Sequence, residues 1–265
     1  MDAKTIKKYG RVWWLSMKNF AKISLSSRSG IVIFTISKLL RFALFFIFLF
    51  AIFAQTKQIG GYNLWEMILF FLTFNLIDNT VQFLFREVYR FRRNVVEGLF
   101  DTVLVQPYPP LVRSLLGGSD IMDIPVLLVT VVCIAITVTH ISVPSVIDVI
   151  FYISLLINAI IIGLSFHIAV LALGILTTAV DNAIMFYRDL TLMGRIPITI
   201  YQEPLRGILT FVIPVGIMMT FPVEALIGTL NPVFILLGFG ISFVLLFASI
   251  SLWRYSLRFY TSASS

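Results

Sequence analysis

The sequence predicts an all-α integral membrane protein with six transmembrane helices. The first observation is composition: of 265 residues, 59% are hydrophobic and only 12% are charged, and the mean hydropathy is +0.98. Soluble domains are usually about a quarter charged, so a water-facing surface of ordinary size is excluded. Several apolar stretches also exceed the roughly 20 residues that cross a bilayer. Helical patterns outnumber period-two alternation, which argues against a membrane β-barrel.

The first 28 residues predict an amphipathic helix that lies in the membrane interface. A helix with an aromatic apolar face and a basic polar face is suited to the headgroup region. The alternative is that these residues form a cytosolic start of the first span. The apolar face is Ile6, Tyr9, Trp13, Met17 and Phe20, and the basic face is Lys4, Lys8, Arg11, Lys18 and Lys22.

Five apolar stretches are predicted as spans directly from their hydropathy. The first contains Lys38 and Arg41 in its first half, where long basic side chains can reach toward the inner membrane surface. The last begins at Asn231–Pro232, a pair that ends the preceding segment. The predicted spans are 31–54, 62–85, 120–142, 146–178 and 232–256.

The region 179–230 allows two interpretations, and both give six crossings. Its first half carries six charged residues between Asp181 and Arg206, whereas 207–229 is apolar. One interpretation is a cytosolic loop followed by one span. The other is a polar span at 180–197, followed by a re-entrant pair at 203–228 that is broken at Pro214 and Pro222. Irregular backbone at membrane depth is tolerated where protein shields it or where it lines a cavity.

The distribution of lysine and arginine predicts the orientation. The first 28 residues carry seven, residues 86–113 carry five, and 140–147 carry none. The positive-inside rule therefore predicts that the N-terminus, the polar segment 86–119 and the C-terminus are cytosolic. The net charge of +7 lies at the ends of the apolar stretches, so it indicates membrane orientation and not nucleic-acid binding.

Motifs for catalysis and for metal binding are missing from the chain. There is no G-x-x-x-x-G-K-[ST] loop, so ATP hydrolysis by that route is excluded. His140 and His167 are far apart and show no ligand spacing, and no paired nucleophile and base is visible. The single cysteine, Cys133, has no partner within the chain for a disulfide and is expected to pack in an apolar stretch.

A polar stripe runs along the second predicted span. Its four members are spaced i, i+3, i+4 and i+7, which places them on one helical face. Facing lipid would be costly, so they are expected to face protein, water or a substrate. They either make helix–helix hydrogen bonds or line a transport path. The stripe is Asn75, Asp78, Asn79 and Gln82.

The polar segment contains VVEGLFDTVLVQPYPP, residues 95–110, which predicts one short amphipathic helix of about three turns. Arg93 and Glu97 are spaced for an i,i+4 pair, and Pro107 prevents continuation. Acidic residues beside the apolar face are unfavourable at an anionic lipid surface, so docking in a groove on a protein partner is expected. The apolar face is Val96, Leu99, Phe100, Val103 and Leu104, and Glu97, Asp101 and Thr102 lie off it.

These features resemble the membrane subunit of an ABC transporter of the type-2 exporter class, in its viologen- and multidrug-export-like permease branch. The branch pattern E-G-x-[FL]-D-x-x-L-x-x-P is matched here, although Gln106 stands where a basic residue is more usual. The late run 195–228 is also similar to the branch, and the resemblance covers essentially the whole chain. The matching residues are Glu97, Gly98, Phe100, Asp101, Leu104 and Pro107, then Pro197, Tyr201, Leu209, Thr210, Pro214 and Pro222.

The resemblance implies a permease subunit without its own ATPase site, in a prokaryotic plasma (inner) membrane. It implies a second permease, identical or homologous, and two ATP-binding-cassette ATPase subunits that bind ATP and Mg, while this chain binds no cofactor or metal. It also favours the polar span and the re-entrant segment in 179–230. Alternatives are an ion-gradient-driven secondary transporter that uses Asp78, or a non-transporting membrane scaffold. The implied ATPase-coupling residues are Val96, Glu97, Gly98, Leu99, Phe100, Asp101, Leu104 and Pro107.

Overall fold

The computed structural model describes residues 3–25, 28–119, 121–177 and 180–262. Within these ranges the chain is helical and contains no strand, only one isolated antiparallel bridge between Ile59 and Tyr62. The predicted all-α class is therefore confirmed. The predicted segment 1–28, the predicted spans 120–142 and 146–178, and the region 179–230 each include positions outside the described ranges.

The helices follow one another with short connections. Within the described ranges, five stretches are long and apolar enough to cross a membrane, or up to six if one bent pair is counted as a span. The five are Val32–Phe53, Leu64–Val96, Ile121–Val138, Val146–Thr177 and Pro232–Phe259. The helices are α1 (Ala3–Leu25), α2 (Arg28–Phe53), α3 (Leu64–Phe85), α4 (Phe91–Val96), α5 (Leu99–Leu104), α6 (Pro110–Leu116), α7 (Ile124–Val138), α8 (Val146–Thr177), α9 (Val180–Leu192), α10 (Leu205–Gly207), α11 (Val215–Leu226) and α12 (Pro232–Ser256).

Local sequence explains where the long helices begin. Asn63 caps α3: its side chain accepts from the backbone N–H of Glu66, and the Glu66 carboxylate accepts from the backbone N–H of Asn63. Asn231 caps α12 through the N–H of Val233, and Pro232 takes the first helical position, where no N–H is needed. These caps satisfy donors that would otherwise be unpaired at the helix ends.

The long helices form a bundle around α8. Asn158 on α8 accepts from Ser242 on α12, and Tyr152 on α8 is 3.0 Å from the hydroxyl of Thr73 on α3. Gly163 lets α3 and α11 approach α8 closely, because a Cβ there would lie 2.7 Å from Val81. Small residues and interhelical hydrogen bonds of this kind are typical of helix packing in membranes.

The bundle has two ends, which we call the polar end (residues 86–119) and the linker end (residues 54–63). Both described chain ends contact the polar end. On α1, the ring of Tyr9 lies 4.9 Å from that of Tyr108, and the guanidinium of Arg90 lies 3.8 Å from the ring of Phe20. After α12, Tyr260 donates a hydrogen bond to Asp101.

The segment 180–200 runs from the polar end to the linker end. At its start Asp181 pairs with Arg92 at 3.6 Å, and at its end Ile200 packs against Gly60. Only 180–192 is α-helical; short 3₁₀ turns follow at 193–195 and 198–200. The 13-residue helix is too short to cross a bilayer alone. The predicted span 180–197 falls within this segment, and as a crossing it stays a prediction.

The next segment begins and ends at the linker end. Helix α10 continues as a π-helical turn at 208–212, then bends by 91° into α11. Tyr62 lies within hydrogen-bond distance of both Thr199, before this segment, and Glu224, near its end. Pro214 lies at the bend, where the missing N–H interrupts the helix. Pro222 stays inside α11, so the predicted break at that residue is wrong.

The predicted three-turn helix at the polar end is two short helices, and this corrects the sequence interpretation. Gly98 lies between α4 and α5 with φ of 71°, in the left-handed region that glycine adopts without steric cost. The chain therefore turns at Gly98, and the apolar side chains of residues 95–104 do not share one continuous helical face.

Candidate functional site

The polar end presents an exposed apolar surface that we call the docking surface: Val96, Leu99, Leu104 and Val105. Their exposed fractions range from 37% for Leu104 to 83% for Val105. Exposed apolar groups beside charged residues mark interaction sites in many proteins. Val105 was missed by the sequence analysis because it lies one residue beyond the helical spacing that defined the predicted face.

Phe100 does not belong to the docking surface, which corrects its predicted place there. Its side chain is fully buried and packs edge-on against Phe91 at 5.1 Å and Tyr260 at 5.1 Å, with Trp253 at 6.3 Å. Leu99 and Phe100 are adjacent on α5, where successive side chains point about 100° apart, so one is exposed while the other is buried. The segment 91–105 therefore has an outer face and an anchored inner face.

Asp101 holds the C-terminal tail. Tyr260 donates to one carboxylate oxygen at 2.7 Å and Ser262 donates to the other at 2.5 Å. The hydrogen bonds from Ser262 and then Tyr260 lower the pKa of Asp101, because they stabilise the ionised carboxylate. Asp101 thus links the tail to the segment 91–105, and its coupling role stays a prediction.

The other predicted coupling residues lie near the docking surface. Glu97 is exposed and 4.0 Å from Arg93, so this expected pair is long and solvent-screened. Pro107 is exposed after α5. Beside Leu99 lies a cavity of about 240 Å³ that is lined mainly by polar groups, including Thr102, Gln106 and Arg113. A side chain from a docked partner has room to enter it.

The polar stripe on α3 faces the protein interior at two of its four positions. Asn75 and Asn79 are buried, and each donates its amide to the backbone carbonyl four residues earlier. Asp78 and Gln82 are half-buried and hydrogen-bonded to each other at 2.7 Å. Among the described residues of the stripe, Asn79 accepts a hydrogen bond from Lys38 on α2.

Lys38 points into the bundle, which corrects the expectation that it reaches the inner membrane surface. Its ammonium donates to Asn79 at 2.8 Å and forms an ion pair with Asp123. The cluster joins α2, α3 and the turn before α7. Lys38 lies in the first half of the first apolar stretch and Asp123 near the start of the third, and only the fold shows that these two stretches are neighbours.

A larger cavity of about 340 Å³ opens at the linker end between 198–211 and 221–234. Glu224 lines it and accepts a hydrogen bond from Tyr62 at 2.8 Å. Glu203 and Arg206 form an exposed ion pair at its margin. No group of three or more His, Cys, Asp and Glu residues that could hold a metal ion occurs in the described part of the chain.

Comparison with protein families gives a match over most of the chain. A family model described as ABC-2 family transporter protein matches residues 22–264, nearly the whole chain. Curated proteins and solved structures give no significant match. The family match covers the bundle, the docking surface and both cavities.

Proposed function

Because the chain belongs to the ABC-2 transporter family, we propose that it is the permease subunit of an ATP-driven exporter in a prokaryotic plasma membrane. It pairs with a second permease, identical or homologous, and with two ATP-binding-cassette subunits. Those partners bind ATP and Mg and carry out hydrolysis. This chain supplies the helices that enclose the pathway.

The observation that carries this proposal is the two-faced segment 91–105. Its outer face offers exposed Leu99 beside a polar cavity, and its inner face is anchored by fully buried Phe100. A helix surface that docks in a partner's groove needs exposed apolar anchors. A segment that transmits movement also needs a rigid inner connection, which the aromatic contacts of Phe100 supply.

Three contacts would carry motion from the docked segment to the bundle. Phe100 contacts Trp253 on α12, Arg92 pairs with Asp181 on α9, and Asp101 holds Tyr260 after α12. ATP binding brings the partner subunits together and moves the docking surface. The anchored inner face passes this displacement to the helices that line the pathway.

The excess of lysine and arginine supports a cytosolic polar end. The amphipathic helix α1, the segment 91–105 and the tail then face the cytosol, where ATP is available. The linker end, with its re-entrant segment, faces outward.

Co-purification with an ATP-binding-cassette subunit from the same organism tests the proposal. Leu99→Asp should abolish recovery of that subunit while the permease still inserts and elutes as a single species. Val143→Asp is the matched control, because Val143 is 94% exposed but lies in the loop at the linker end. This control should retain the partner.

Two results would contradict the proposal. Recovery of the ATPase subunit with Leu99→Asp at the wild-type level would show that the docking surface lies elsewhere. Transport that continues when ATP hydrolysis is blocked, but stops when the ion gradient is dissipated, would favour a secondary transporter.

A further inference from the structure

A third cavity, of about 240 Å³, is lined by two arginines, Arg195 and the exposed Arg41 on α2. It lies between α2, α3 and the turn at 193–195, and Arg41, Asn75 and Arg195 supply its polar groups. Arg41 is nine residues into the apolar stretch that starts at Val32, and Asn75 is eleven residues into α3. At 1.5 Å per residue both lie roughly halfway along their helices, too deep for an ordinary surface contact.

The two arginines are not neutralised within the described residues. No carboxylate lies within 4.0 Å of either guanidinium, and the buried Nε of Arg195 has no hydrogen-bond partner there. The guanidinium of Arg195 lies 5.5 Å from the centre of the Phe74 ring, and this cation–π contact supplies no negative charge. The neighbouring Lys38, by contrast, is paired with Asp123.

An uncompensated pair of cations at membrane depth is costly and marks a functional site. Guanidinium groups bind phosphate, sulfate and carboxylate oxygens through directed hydrogen bonds, and these are stronger where water is excluded. An anion in this cavity would offset the repulsion between the two arginines.

The remaining walls of the cavity are apolar. Leu44, Phe45 and Phe48 supply one side on α2, and Phe71 supplies the other on α3. Leu44 and Phe48 are exposed on the outer surface of α2, so an acyl chain could leave the cavity along them. A free inorganic anion has no apolar part that would pack against this surface.

We propose that the cavity binds the anionic head group of an amphiphile. Arg41 and Arg195 bind the head group, and the apolar side chains of α2 pack along the acyl chain. Asn75 contributes a polar group beside the two guanidiniums. The inference rests on the proposed function only in treating this amphiphile as cargo that enters from the bilayer. The binding site itself does not depend on an ATPase.

Equilibrium binding of radiolabelled oleoyl lysophosphatidate to the full chain in phosphatidylcholine nanodiscs tests the site. Each of Arg41→Gln and Arg195→Gln should raise the Kd about tenfold, since one charge-assisted hydrogen bond is worth at least that factor. Arg41→Lys with Arg195→Lys keeps both charges and should retain most of the affinity. Arg206→Gln, in the exposed ion pair at the linker end, should leave the Kd unchanged.

Competition in the wild-type chain identifies the ligand even where a variant fails to fold. Unlabelled lysophosphatidate should displace the probe, whereas monooleoylglycerol, with the same chain and no phosphate, should not. Displacement by inorganic phosphate at equal concentration would overturn the amphiphile assignment. Equal binding by wild type and both glutamine variants would overturn the site.

A further outcome would assign the arginines to an interface. If Arg41→Gln converts a dimer of this chain to a monomer, the second copy neutralises the cavity and the proposal is wrong. The lipid-binding assay contains no ATPase, so a failure to bind lysophosphatidate would not contradict the docking surface. Co-purification tests the docking surface separately. Loss of co-purification likewise leaves the binding result unchanged.

Discussion

Lys38 and Asp123, 85 positions apart in sequence, form an ion pair in the interior of the bundle, with side-chain exposed fractions of only 10% and 1%. Asn79 accepts a second hydrogen bond from the same ammonium. The pair ties α2 to α3 and to the turn that starts α7, close to the cavity that holds Arg41. It therefore sets the position of the helix on which the proposed amphiphile site depends.

Breaking this pair from one side should destabilise the protein. Lys38→Met or Asp123→Leu alone leaves a buried charge without its partner, which costs about 3–5 kcal/mol. The double variant removes both charges and should recover most of the loss. Unfolding of the three variants in detergent, followed by tryptophan fluorescence, measures the differences. A double variant no more stable than the single variants would contradict the buried pairing.

Phe100 and Leu99 should respond in opposite ways to truncation. Phe100→Ala removes a fully buried ring and should cost about 3–5 kcal/mol of stability in the isolated permease. Leu99→Ala removes an exposed group and should change the free energy of unfolding by less than about 0.5 kcal/mol. The same unfolding measurement distinguishes them. Similar losses for both would contradict the burial of Phe100 and the exposure of Leu99.

Gly163 should not tolerate a methyl group. A Cβ would lie 2.7 Å from one methyl of Val81 and 3.3 Å from the other, and a β-branched side chain has little freedom to move away. Gly163→Ala is expected to cost about 1–3 kcal/mol through overpacking. Gly240→Ala on α12 is the matched control, because nothing lies within 4 Å of its Cβ. The control should be neutral or slightly stabilising, and equal effects would contradict the close approach of α3 to α8.

The C-terminal tail should dissociate from Asp101 only in acid. Ser262 and Tyr260 lower the pKa of Asp101 below its ordinary value of 3.8. The contact therefore contributes its full stability above pH 3.8 and is lost as the pH falls through the lowered pKa. Burial and the carboxylate of Asp101 raise the pKa of Tyr260 to about 12, so Tyr260 remains a donor at neutral pH. An environment-sensitive dye on Thr261→Cys, in a Cys133→Ser background, reports the change.

Asp101→Ala provides the control for this titration. In that variant the dye should report a released tail at every pH, with no transition below 3.8. The same acid transition in wild type and in Asp101→Ala would assign the titration to another group.

Much of the bundle could be predicted from apolar runs alone. A stretch such as Val146–Thr177 is long and apolar enough to require a membrane, whatever surrounds it, so no tertiary information is needed. The segment 180–200 is harder to predict from sequence, because its helix is short and its charged residues lower the hydropathy. Two contacts between residues far apart in sequence define the path of this segment. Asp181 pairs with Arg92, and Ile200 packs against Gly60.

The sequence predicts which segments contain the candidate sites, but it does not predict which side chains form them. The acidic, proline-ended run after the second span identified the polar segment, and the positions of Val96, Leu99 and Leu104 on its exposed face agree with that interpretation. Phe100 was placed on the wrong face because helical spacing was extended through Gly98, where the backbone is not helical. Nothing in the local sequence of Arg195 places it beside Arg41 on the first span.

The sequence by itself determined the helical membrane class, the apolar spans and the location of the polar segment, because these follow from hydrophobicity and from residues close together in the chain. Only the tertiary structure decided that Lys38 is neutralised by Asp123, that Arg41 and Arg195 share a cavity, and that Phe100 is an anchor. The physical reason is that charge compensation and burial depend on which side chains meet across helices. Those meetings join residues as far apart as Lys38 and Asp123, or Phe100 and Trp253, and no local pattern specifies them.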